Sequence, residues 1–183
     1  MFGFGKKKIY EEVIVDSFVC ALIDDMKDAF PWLIEQLDEL PIEKDILRSF
    51  PENSHDIIAI ANLSLELISL PNLFQSDQAK RIREMAINLF AMHKEIKTEK
   101  LLIQIESYER CFNEYIEAGL NPITAVSEML YKNLGLKDFQ SQQIPKLKGP
   151  NPILVEGLSI ALTSFSGRWK KLKKSYKIVK SKT

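Results

Sequence analysis

The run Ile57-Ile-Ala-Ile-Ala-Asn-Leu-Ser-Leu-Glu-Leu-Ile-Ser-Leu70 decides the fold. It is apolar on most sides of a helical wheel, Asn53 and Ser54 stand before it as capping residues, and Pro71 follows it. The alternation from Leu63 to Leu67 would also suit a strand, but an apolar run of this length between a cap and a proline favours a helix. The expectation is a central helix reaching Leu70 that is the hub of a core.

Upstream, Tyr10, Ile14, Phe18, Leu22 and Met26 recur at four-residue spacing, and Val15, Val19 and Ile23 widen the stripe, which predicts a well-buried helix over 10–30. Pro31, Pro41 and Pro51 follow Phe30, Leu40 and Phe50. Proline favours the first helical turn and pushes its predecessor out of the helical region, so two short helices are expected near 31–40 and 41–50. Downstream of a loop at 71–76, the stripe Ala79, Ile82, Ala86, Leu89, His93 and Ile96 predicts a helix over 77–97. Thr98 can cap a helix over 99–118, and Gly119 stops it. Asn121-Pro122 and Asn151-Pro152 read as N-cap and first helical residue, opening helices over 122–134 and 152–166.

The fold class is therefore all-α: an irregular bundle of about seven to eight helices with a basic C-terminal helical tail. The organisation read from the chain is a main helical domain over 1–135, a linker-like loop over 136–150, an apolar helix over 151–167 packing on the main domain, and the tail over 168–183. No uninterrupted apolar stretch reaches the roughly 20 residues of a membrane span. The basic start Lys6-Lys-Lys8 precedes an apolar run from Val13 to Ile23, but Asp16 interrupts the run and Asp24 and Asp25 close it, so a cytoplasmic chain, peripheral at a membrane, is expected rather than a secreted one. Cys20 and Cys111 fall in apolar helical patterns and read as free thiols.

With 183 residues, 45% hydrophobic and 27% charged, the composition is that of an ordinary globular protein, and 25 cations balance 25 acids. The balance is not uniform. Residues 1–8 carry +3, residues 9–167 carry −11 and residues 168–183 carry +8, with −9 of the acidic excess inside residues 9–52. From Arg168 to the end there is no acid. On a helical wheel Trp169, Leu172, Tyr176 and Val179 share an arc of about 80° while lysines cover most of the rest, and only Ile178 breaks the pattern. A basic amphipathic helix with an aromatic stripe suits an anionic membrane surface or an acidic protein face, with nucleic acid as the alternative. The binding residues expected are Arg168, Trp169, Lys170, Lys171, Lys173, Lys174, Tyr176 and Lys177. The acidic docking face expected within the chain, or across a homo-oligomer, is Asp24, Asp25, Asp28, Glu35, Asp38 and Glu39.

Enzyme chemistry has little support. There is no Gly-rich phosphate loop, since the seven glycines are scattered. Glu52-Asn-Ser-His55 has one copy of the spacing that di-iron bundles use twice, and His93 lacks the second. No complete metal-ligand set, no cofactor site and no catalytic residue is expected from spacing alone. His93, on its apolar stripe, is the one pocket residue expected. The function expected is a non-enzymatic helical interaction protein whose tail engages an anionic partner, with an inter-helix metal or enzyme site as the remaining reading.

Overall fold

The computed structural model describes residues 6–38, 51–119, 121–137 and 149–180. Its elements run β1 (Lys7–Tyr10), α1 (Glu11–Asp38), α2 (Ser54–Leu73), α3 (Ser76–His93), α4 (Thr98–Glu117), α5 (Pro122–Asn133), α6 (Pro152–Phe165), α7 (Arg168–Ser175) and β2 (Tyr176–Val179). Among the described residues the molecule is mostly helical, and the six helices of 12 residues or more, α1 to α6, form a packed bundle. That is fewer than the seven to eight expected.

Helix α2 is the hub. Twelve of its residues are buried, and it packs against α1, α3, α4, α5 and α7. A helix apolar all round needs neighbours all round. Its length and hydropathy would also let it cross a bilayer, against the expectation from uninterrupted apolar length. In this fold its faces are covered by the bundle instead. The buried Ser64 hydroxyl is satisfied within the helix, donating to the Ile60 carbonyl at 2.8 Å. The buried Ser54 hydroxyl donates to the Pro51 carbonyl at 2.5 Å, and the other two buried polar side chains of α2, Asn62 and Glu66, face α7, where they find their partners.

Helix α1 buries the stripe Ile14, Phe18, Leu22 and Met26 together with Val15 and Val19. It runs straight through Pro31, so the separate short helix expected at 31–40 does not form. Pro31 is exposed. Its missing N–H therefore leaves the Lys27 carbonyl on the solvent side, where the lost bond costs least, and the helix continues past it. Pro71 repeats the lesson: it too is exposed, and α2 continues to Leu73, where the Phe74 N–H closes on the Leu70 carbonyl at 2.9 Å. The helix expected at 41–50 and most of the loop at 136–150 lie outside the described residues.

The later helices start where their caps are. The Asn121 side chain accepts from the Thr124 N–H at 2.9 Å and the Asn151 side chain from the Ile153 N–H at 3.0 Å, each with proline at the first position. Helix α6 packs on α5 and α1, and Ser127 and Ser159 share a hydrogen bond at 2.8 Å across the α5–α6 contact.

The C-terminal segment corrects the sequence reading most. Helix α7 stops at Ser175, and Tyr176–Val179 is a strand that pairs in parallel with Lys7–Tyr10, Lys7 opposite Tyr176 and Lys8 opposite Lys177. No projecting basic helical tail exists among the described residues. The reason is local: Tyr, Ile and Val suit a pleated half-buried surface, and β1 offers an open edge beside them. Ile178, the residue that broke the helical wheel, packs with Tyr176 and Ile9 against the core.

Candidate functional site

Gly167, with φ 80°, turns the chain from α6 into α7 in the left-handed region that glycine favours. The turn aims the first N–H groups of α7 at the Glu66 carboxylate. The Arg168 N–H donates to Oε1 at 2.8 Å and the Trp169 N–H to Oε2 at 3.4 Å. A buried carboxylate from a neighbouring helix thus supplies the anion that the helix start lacks from its own N-cap. Burial pushes the Glu66 carboxyl above the usual range, and the N–H groups of Arg168 and Trp169 with the Arg168 guanidinium oppose that shift.

The Arg168 guanidinium reaches two further acceptors. It donates to Asp25 Oδ2 at 2.6 Å and to Asn62 Oδ1 at 3.4 Å, and its Nη1 lies 3.8 Å from Glu66 Oε1. Trp169 is fully buried, stacked on Phe18 with centroids 4.2 Å apart and edge-on to Phe74 at 6.1 Å. The aromatic stripe of the segment therefore faces the protein's own core. Leu172 and Tyr176 are half-buried on the same side.

The lysines point the other way. Lys170, Lys171, Lys173, Lys174, Lys177 and Lys180 are exposed, and so are Lys6, Lys7 and Lys8 of the paired strand. The strand pairing brings the two basic segments side by side, with Lys8 opposite Lys177. Lys6 Nζ donates to the Lys173 carbonyl near the end of α7 at 2.9 Å, and Lys173 donates to the Leu73 carbonyl at the end of α2 while lying 5.4 Å from the Phe74 ring centre. Each cation sits at a helix C-terminus, where the peptide dipoles favour it. A cleft of about 820 Å³ beside them is lined by Lys6, Lys173 and Lys177 over Phe74, Tyr176 and Ile178.

A second acid anchors the strand junction. Glu11, the first residue of α1, is almost fully buried and takes a bidentate pair of bonds from Arg81 at 2.9 Å each and one from Gln78 at 3.0 Å. The Arg81 guanidinium, helped by Gln78, holds the Glu11 carboxyl below its ordinary range. Gln78 also reaches the Ile178 carbonyl of β2 at 3.4 Å, tying α3 to the start of α1 and to β2.

Of the acids expected to form a docking face, Asp25 meets the C-terminal segment, through Arg168. Asp24 pairs instead with Lys27 at 2.7 Å, and Glu35 is exposed. The side chains of Asp28 and Asp38, and Glu39 altogether, lie outside what is described. Glu66 and Glu11 were missed by sequence reasoning. The signal was present in Glu66: a lone acid inside an otherwise apolar helix has to find a buried partner.

His93 is exposed at the end of α3 rather than tucked under its stripe, and its Nε2 lies 3.9 Å from Cys20 Sγ. Asp16, one turn before Cys20 on α1, completes a group whose ligand-type atoms all lie within 4.8 Å of one another. Burial and the carboxylates of Asp16 and Asp24 push the Cys20 thiol up, which makes it a poor free nucleophile.

No protein-family model matches the chain, and neither a curated protein nor a solved structure matches it. The functional reading therefore stands on the chemistry of the surface alone.

Proposed function

We propose that this chain is a non-enzymatic helical protein that binds an anionic membrane surface peripherally, through a lysine face made from both of its ends. The observation that supports this reading most is the β1–β2 pairing, which sets Lys7 and Lys8 beside Tyr176 and Lys177 and joins two separately basic segments. Lysines near an anionic leaflet contribute about 1 kcal/mol each, and the cytoplasmic leaflet carries that charge. The buried Trp169 does not supply a membrane anchor, contrary to the amphipathic-helix expectation, so the attraction rests on charge.

The engagement of Arg168 favours a lipid surface over nucleic acid. Arg168, the one arginine of the segment, is engaged by Asp25 and Glu66, so the face it leaves is all lysine. Lysine is a hydrated point charge, whereas base recognition leans on the planar fork of arginine and on exposed aromatic platforms.

Flotation with phosphatidylcholine vesicles, with and without phosphatidylserine, tests the reading. The full chain is expected to float with the anionic vesicles only and to be released by salt, and a Lys170→Gln/Lys171→Gln/Lys174→Gln/Lys177→Gln variant is expected to stay in solution. Equal behaviour on both vesicles would overturn it, as would tight, salt-sensitive binding to duplex DNA without vesicle binding.

A further inference from the structure

Helices α1 and α3 pack against each other and bring together three side chains that no spacing rule connected. Asp16 and Cys20 stand four apart on α1, hence on one face, and His93 is the last residue of α3. Cys20 Sγ lies 3.9 Å from His93 Nε2, and the carboxylate of Asp16 joins them with all three ligand-type atoms within 4.8 Å of one another.

We propose that Asp16, Cys20 and His93 form a binding site for one divalent transition-metal ion of the zinc class, with water as the fourth ligand. A tetrahedral zinc ion holds sulfur at about 2.3 Å and nitrogen or oxygen at about 2.0–2.1 Å, which puts neighbouring ligand atoms roughly 3.5 Å apart. The present spacings close to that value by side-chain rotation. Asp16 and His93 are exposed and free to make it, while the backbone beneath them is fixed by the buried Val15 and Val19 of α1 and Ile87 and Phe90 of α3.

The donor set selects the ion. One thiolate, one imidazole and one carboxylate suit zinc and its neighbours, whereas magnesium and calcium take oxygen ligands. Cys20 binds as thiolate and its proton passes to solvent, so the complex carries two ligand negative charges against the ion's two positive ones. The open side of the group faces water, where a fourth ligand can come from solvent or from a partner molecule. This site is independent of the lysine face.

Titration of the tag-free, reduced full chain with cobalt(II) chloride, followed by zinc displacement, tests it. A thiolate-to-cobalt charge-transfer absorption saturating at one equivalent is expected, and zinc should abolish it. Cys20→Ser should remove the absorption and Cys111→Ser should leave it intact. His93→Ala and Asp16→Asn should each weaken binding by at least ~10-fold, since even partners outside the ligand shell matter that much. Thermal melts of the metal-free variants check that each is folded. Absence of the absorption in the parent chain would overturn the site, as would its survival in Cys20→Ser or its loss in Cys111→Ser.

Discussion

Arg168 and Glu66, 102 residues apart in the sequence, meet where the backbone N–H of one donates to the carboxylate of the other at 2.8 Å. This contact turns a basic terminal segment into part of the fold. It caps α7, steers Trp169 into the core and leaves the lysines outside.

Glu66 can therefore be separated by shape and by charge. Glu66→Ala leaves the Arg168 and Trp169 N–H groups without their acceptor and the guanidinium with Asp25 as its carboxylate partner, and a loss of roughly 2–4 kcal/mol is expected in urea melts. Glu66→Gln keeps one acceptor oxygen, enough for the shorter bond from the Arg168 N–H, and removes the buried charge. It is expected to lose less than Glu66→Ala at neutral pH. Equal losses for the two variants would contradict the capping role.

The two buried glutamates give opposite pH slopes. The folded pKa of Glu66 is raised, so its contribution is fully present below about pH 4.5 and fades as pH climbs through the folded value. That of Glu11 is lowered by Arg81, so its contribution is present above about pH 4.5 and is lost as pH falls through the folded value. Melts at stepped pH should show Glu66→Gln gaining on the parent as pH rises, and Glu11→Gln losing its deficit in acid. A reversed order would contradict the arrangement.

Trp169 holds the segment in place by volume. Trp169→Ala empties the space against Phe18 and Phe74 and is expected to cost about 3–5 kcal/mol. Amide exchange in β2, which follows α7 directly, should quicken with it. Unchanged protection of Tyr176–Val179 in that variant would mean that the strand pairing alone holds the segment down.

Much of the bundle was legible because helical periodicity and capping residues are local signals. Asn121-Pro122 and Asn151-Pro152 name their helices outright, and the apolar run to Leu70 names the hub. What was not legible depended on which side of a helix meets solvent: Pro31 and Pro71 read as boundaries, yet both are exposed and interrupt nothing. The β1–β2 pair was hidden for a different reason. Its strands are four residues each and lie at opposite ends of the chain, so no local pattern could join them. Separation in sequence likewise hid the juxtaposition of Lys8 with Lys177 and the meeting of Asp16 and Cys20 with His93.

The most direct measurement is the vesicle affinity of a Lys6→Gln/Lys7→Gln/Lys8→Gln variant against the parent chain. If both ends form one membrane-facing surface, neutralising three lysines at the N-terminal end should remove about 3 kcal/mol, an affinity loss of about 100-fold on phosphatidylserine-containing vesicles. Binding equal to that of the parent would confine any recognition to the C-terminal segment and contradict a shared face.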